Sequence, residues 1–202
     1  MYLKRDKELE ILSHYLGDYS CQFYLRELSK MSGIPPMTVQ HAVTNLEGDG
    51  ILKSVMQGRN KYFALNLENA QTKLCLQQAE IHRTRSFLKK YPAFKTFLKE
   101  LRGTQNPIIA FGSFAKFSAG IKDSDADLLI VVSEKNTHVK FPYHVLPHEV
   151  HEIRLSEDDF LKSLELSDAL IGEIREHHVI LNNHSFYVNA MWGHFTANKQ
   201  QG

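Results

Sequence analysis

Asp125 and Asp127 stand two apart at the head of Leu128-Leu-Ile-Val-Val132, among the longest uninterrupted apolar runs in the chain. A five-residue run of this kind, rich in branched side chains, reads as a strand buried on both faces. Alternate strand residues face one side, so the two carboxylates converge on one edge. Their mutual repulsion and lost hydration are unfavourable unless a cation holds them, and hard oxygen ligands suit Mg²⁺ or Mn²⁺. On spacing alone, a solvated strand end with ordinary acidic turn residues fits equally well.

Upstream, Pro107-Ile-Ile-Ala-Phe111 is a second short buried-strand run, and it leads directly into Gly112-Ser113 and the helix-compatible Phe114-Ala-Lys-Phe117. Strand, glycine, serine, helix is a phosphate-binding arrangement. Glycine lets a ligand approach the backbone, the serine hydroxyl and first helical amides donate hydrogen bonds, and a helix dipole favours an anion. Taken alone the pattern is common.

Together, Phe111-Gly112-Ser113, eleven intervening residues and Asp125-Ala126-Asp127-Leu128 resemble the signature of the polymerase-β-like nucleotidyltransferase superfamily, in particular its minimal members. The resemblance covers roughly residues 105–195. It implies that Gly112 and Ser113 hold a nucleoside triphosphate with help from Lys116. It also implies that Asp125 and Asp127 bind divalent ions, which align the nucleotide with an attacking hydroxyl. The chain departs from the family at two points. Minimal members place a glycine after the basic residue of the helix, whereas this chain has Phe117, so the loop is expected to run differently. The third acidic residue, which in the family faces the metals from a later strand and helps activate the nucleophile, falls here on His151. That count runs back from Ser156, which opens a helix with acids in its first turn. Glu149 lies on the same face two residues earlier, and Glu152 points to the other. Three readings stand: Glu149 substitutes, which is the preferred one; His151 acts as ligand or base; or the site binds nucleotide and turns over poorly.

The other histidines, including His144, His148 and His177-His178, lack an HExxH or paired Cys/His frame and are read as structural. Cys21 and Cys75 have no zinc spacing and read as buried thiols in a reducing compartment. The closing segment reads as helix, strand and a final helix with Trp192 in the core.

The N-terminal third has its own pattern. Leu9, Ile11, Leu12, Tyr15 and Leu16 fall at helical spacing before Gly17; Phe23, Leu25, Leu28 and Met31 form a second periodic stretch, and Pro35-Pro36 breaks the chain before a third. In the third, Val39, Ala42, Val43 and Leu46 make one apolar face. Residues 51–55 and 62–65 then read as a hairpin around Gln57-Gly58-Arg59-Asn60. This order resembles winged helix-turn-helix domains of microbial regulators. The resemblance implies DNA binding, with Gln40, His41, Thr44 and Asn45 at base edges, Arg59 and Lys61 on the wing, and Arg26 and Lys30 on phosphates. The third helix carries no Lys or Arg, so use as a protein-interaction or dimerisation module stays open.

Between the two ends, Leu67, Ala70, Leu74, Ile81 and Leu88 repeat at helical intervals up to Tyr91-Pro92, and a shorter helix follows through Phe94, Phe97 and Leu101 to Gly103. A homodimer seam along the longer helix is a secondary expectation. Residues 1–90 carry 13 Lys/Arg against 9 Asp/Glu and residues 91–202 carry 11 against 14, which favours two domains. No apolar run approaches bilayer length and no signal peptide opens the chain, so a soluble cytoplasmic protein without membrane contact is expected.

The expected fold class is α+β: a winged helix at 1–66, a helical connector at 67–104 and a nucleotidyltransferase-like domain with a small mixed sheet at 105–202. The expected function is metal-dependent transfer of a nucleotidyl group from an NTP to a hydroxyl of an unidentified acceptor. Two alternatives accompany it: a DNA-binding regulator with a catalytically impaired nucleotide-sensing domain, and an antitoxin-like partner of a small helical protein.

Overall fold

The computed structural model describes residues 2–101, 103–119, 124–133, 140–166 and 168–197. The fold is α+β, in two compact units: Met1–His82 with Phe195–Gly202, and Arg83–His194. Residues 67–82 of the expected connector belong to the first unit and 83–104 to the second.

In the first unit, α1 (Tyr2–Leu12) runs into a 3-10 turn (Ser13–Tyr15), β1 (Gln22–Tyr24), α2 (Leu25–Ser32), α3 (Pro36–Gly48) and the hairpin β2 (Leu52–Gln57) and β3 (Asn60–Leu65). The sheet order is β1-β3-β2, antiparallel throughout. Helical periodicity places Phe23 in the second helix, but the residue lies on β1 opposite Phe63. The helix starts later because Tyr24 is extended and its amide donates to the Glu27 carboxylate at 3.0 Å, satisfying a group that a helix start leaves open. Helix α3 buries Val39, Ala42, Val43 and Leu46, the apolar face its sequence marks. The Tyr15 hydroxyl donates to the Phe63 carbonyl at 2.9 Å and ties the turn to β3. Cys21 and Cys75 are both free and only half-buried.

Helix α4 (Ala70–Lys90) starts in the first unit and ends in the second. It buries Thr72, Leu76, Ala79, Glu80 and Phe87, whereas Leu74 is 61% and Ile81 42% exposed. Of the apolar repeat legible in the sequence, Leu67 is buried and Leu88 packs against the core, while Leu74 and Ile81 face outward. A seven-residue spacing drifts around a straight helix, and the neighbouring row with Leu76, Ala79 and Phe87 faces the core.

The second unit continues through α5 (Ala93–Glu100), β4 (Ile108–Phe111), α6 (Gly112–Ala115), β5 (Ala126–Val132), β6 (Val150–Ser156), α7 (Glu157–Glu165), α8 (Ala169–Glu176), β7 (Val179–Asn182) and α9 (His184–Ala197), which ends in the first unit. The sheet is mixed, in the order β6-β5-β4-β7, with only the β5–β6 pair parallel. Strand β5 is buried along Leu128–Val132, as a double-faced apolar run requires. One of its faces meets the aromatic cluster of Phe87, Phe94, Phe97 and Phe114. Ser156 caps α7 by accepting from the Asp159 amide at 3.0 Å. Trp192 on α9 is half-buried where the sequence suggests core. No helix among the described residues is long and apolar enough to cross a membrane.

Candidate active site

Strand register assembles the site. Phe111, the last residue of β4, lies opposite Asp127 on β5, and Asp127 lies beside His151 on β6. Three neighbouring strands therefore bring the Gly112 turn, the Asp125–Asp127 pair and His151 to one sheet edge.

Gly112 has φ +64, and a Cβ built on it would lie 2.2 Å from Asp127 Oδ2 and 3.2 Å from Cγ. The carboxylate is packed onto the glycine backbone, so both the conformation and the space demand that no side chain be present. Burial pushes the Asp127 carboxyl above the usual carboxylate range; His151 pulls it down, and the charges of Asp125 and Glu173 add to the rise.

The His151 imidazole spans the two acids, with Nδ1 3.5 Å from Asp127 Oδ1 and Nε2 3.8 Å from Asp125 Oδ2. Glu149, the preferred substitute for the third acid, precedes β6, and its contribution is its carbonyl, which accepts from the Ala126 amide at 2.8 Å. Its side chain is exposed and, among the described residues, pairs with neither aspartate. In the parallel register Val150 pairs with Ala126 and His151 with Asp127, so Glu149 lies two residues short of the level of Asp127 and register gives that place to His151. The Glu152 side chain accepts from Tyr143 Oη and Arg154 Nε.

The turn after β4 is tighter than its sequence suggests. Helix α6 is a single turn, so the dipole expected at Ser113 is far smaller than that of a full helix. Instead the loop closes on itself: the Ser113 carbonyl accepts from the amides of Ser118 and Ala119, both at 3.1 Å, and from Ser118 Oγ at 3.2 Å. Phe117 adopts φ 56. A left-handed residue thus stands where a glycine was expected, and the chain keeps a glycine-like turn with an aromatic side chain. Packing holds it there. The ring sits 6.1 Å from Phe87 and 6.4 Å from Tyr91, and the Lys90 ammonium caps the Phe117 carbonyl. The Lys116 ammonium is 3.2 Å from Glu173 Oε1 on α8. Glu173 carries no local sequence signal: it is one exposed acid on an amphipathic helix between the buried Ile171 and Ile174.

Residues 92–181 match the family model for the nucleotidyltransferase domain. The comparisons with curated proteins and with solved structures give no match. The matched segment contains Gly112, Ser113, Lys116, Asp125, Asp127, Glu149, His151 and Glu173. It begins at Pro92, ahead of β4, and ends at Leu181 on β7.

Within the matched segment the histidines take separate partners. His144 lies 3.5 Å from Glu100, the His148 ring meets Phe114 edge-on at 4.8 Å, and the buried His178 Nδ1 lies 3.0 Å from the Ile174 carbonyl. Among the described residues no three His, Cys, Asp or Glu side chains gather as a metal-holding group.

The nucleic-acid candidates lie outside the nucleotidyltransferase match. Gln40, His41 and Thr44 are exposed on α3, and Arg26, Lys30 and Arg59 are exposed on α2 and the hairpin turn. Two candidates have partners within the unit. Asn45 Nδ2 donates to Glu8 Oε1 at 2.8 Å, and the Lys61 ammonium donates to Glu47 at 2.9 Å. The Lys61 bond contributes to holding the Glu47 carboxyl below its usual range, after a larger contribution from Ser54.

Proposed function

We propose that this protein transfers a nucleotidyl group from a nucleoside triphosphate to a hydroxyl of an acceptor molecule, with a divalent cation, Mg²⁺ or Mn²⁺. The observation that carries this reading is the carboxylate of Asp127 packed on the bare Cα of Gly112, with Asp125 within reach of the same imidazole. In it, Gly112 and Ser113 hold the phosphates, and Lys116 supplies a cationic donor to them.

The donor set fits such a cation. Both carboxylates approach the same imidazole, one at each ring nitrogen. Mg²⁺ is commonly held by one or two carboxylates together with substrate phosphates, so a third protein ligand is unnecessary. Asp125 and Asp127 would hold the ion, which when bound neutralises charge on the phosphates. His151 stands where the family resemblance calls for an acid, and a neutral imidazole there can accept the proton of an incoming hydroxyl. Glu149 is left a role through its backbone.

The same exchange of acid for imidazole supports a second reading, in which the site senses nucleotide without turnover and the first unit regulates DNA. The helix–helix–hairpin order of that unit and its exposed Gln40, His41, Thr44 and Arg59 support a winged helix that recruits DNA or a protein partner. The exposed Leu74 and Ile81 on α4 support pairing with a second copy.

The test is incorporation of labelled nucleotide, with Mg²⁺ or Mn²⁺, into the protein itself, a tRNA pool and DNA. Transfer is expected from the native protein and not from the Asp125→Ala/Asp127→Ala double variant. Nucleotide binding without incorporation into any acceptor would favour the sensor. Equal incorporation by the double variant would end the transferase reading.

A further inference from the structure

Lys116 leaves α6 with its ammonium 3.2 Å from Glu173 Oε1, and both side chains are a little under half exposed. Glu173 is also among the charges that act on Asp127. The loop from Gly112 to Lys116 is therefore edged by three carboxylates, Asp125, Asp127 and Glu173, with Lys116 as their aliphatic-chain cation and His151 between two of them. An ammonium has three donors, so one held by Glu173 still has hydrogens for a phosphate oxygen. A lysine without such a partner samples many rotamers and meets a phosphate only at the cost of being ordered.

We infer that Glu173 is a positioning residue with two effects. It holds the Lys116 ammonium beside the Gly112 turn, and its charge makes the site take a nucleoside triphosphate as the divalent-cation complex in preference to the free anion. This rests on the nucleotide-binding reading above and adds a residue to it. The two effects have opposite signs and separate cleanly. Without a divalent cation, Glu173 repels the polyanion, so its removal strengthens binding. With the cation present, the net charge to be met is smaller and the placement of Lys116 dominates, so loss of the holding oxygen weakens binding. Glu173→Gln keeps an oxygen for Lys116 and removes only the charge; Glu173→Ala removes both.

The experiment is ATP binding by calorimetry to the full chain, in Mg²⁺ and in EDTA, for the native protein, Glu173→Gln, Glu173→Ala, Lys116→Met and Lys116→Met/Glu173→Ala, with circular dichroism to verify folding. In EDTA, Glu173→Gln is expected to bind about two- to fivefold more tightly than the native protein, the range of half-exposed charge pairs, and Glu173→Ala to gain less because it also loses the oxygen that holds Lys116. In Mg²⁺, Glu173→Ala is expected to bind about two- to fivefold more weakly, with Glu173→Gln close to native. In the Lys116→Met background the Mg²⁺ effect of Glu173→Ala should vanish, because no ammonium remains to be placed. An unchanged ratio of Mg²⁺ to EDTA affinities in Glu173→Gln overturns the charge effect, and an additive double variant overturns the positioning. If the native protein binds ATP in neither buffer, the nucleotide reading falls and this inference with it, an outcome distinct from native binding that Glu173 does not influence.

Discussion

Two residues of the 112–119 turn carry most of its cost. At Gly112 a methyl group would overlap the Asp127 carboxylate, and the left-handed backbone alone disfavours an L side chain by about 1–2 kcal/mol. Gly112→Ala should lower the melting temperature and displace Asp127; retained thermal stability would mean that the carboxylate is not seated on that backbone. Phe117 inverts the usual ranking of small residues. Since φ 56 penalises any Cβ, Phe117→Gly should be more stable than Phe117→Ala by about 1 kcal/mol in urea unfolding, although both lose the contacts with Phe87 and Tyr91. Equal midpoints would show that the turn is not left-handed. Asp127 has a pH signature. Burial raises its folded pKa, so the folded state binds the proton more tightly than the unfolded chain does. The associated stability is full below the unfolded carboxyl range near 4 and is lost as pH rises through the higher folded value. Asp127→Asn should therefore gain on the native protein in melting temperature between about pH 3 and 7. A gap that stays constant over that range would contradict the burial argument.

Among the elements, helix caps and strand register matter more than propensity. Ser156 closes β6 and opens α7 in one residue, and Ser156→Ala should cost about 1 kcal/mol in denaturant unfolding by stranding the Asp159 amide. A loss near zero would indicate that water replaces the hydroxyl. Strand β5 was legible from its apolar run, and α3 from its spacing, because each is long enough for its period to stand out. Strand β1 was not: three residues within a helical pattern carry too little period, and pairing with β3 decides their state. The packed row of α4 is not legible in the sequence for a related reason, since two rows of the helix hold apolar residues and only the surrounding core selects between them.

At the level of the whole molecule, the chain passes between its units inside two helices, α4 and α9, and residues 195–197 return to the first unit. There the Phe195 ring lies 5.2 Å from the ring of Tyr19, itself only 2% exposed. A fragment ending at residue 82 lacks that ring and should be less stable than the same unit in the intact chain, by roughly the 1–3 kcal/mol that a buried aromatic contact and its area supply. Native-state hydrogen exchange on both proteins compares them, and equal protection of Tyr15 and Phe63 would show that the closing segment adds nothing. The charge division between the chain's halves remains a sequence-level property that bears on partners and not on fold.

Sequence by itself determined the chemistry on offer: a glycine-serine turn after one buried strand, two acids at the start of another, and enough apolar periodicity to name an α+β chain. Those are local facts, written in spacing. Register and packing decided the rest. That His151 and not Glu149 meets the aspartates depends on which residue of β6 pairs with Asp127, and that Phe117 keeps a glycine's turn depends on rings from α4. That Glu173 faces Lys116 depends on a helix 57 positions along the chain. Contacts between residues distant in sequence leave no periodic trace, because the free energy that selects them comes from the assembled core and not from any one segment.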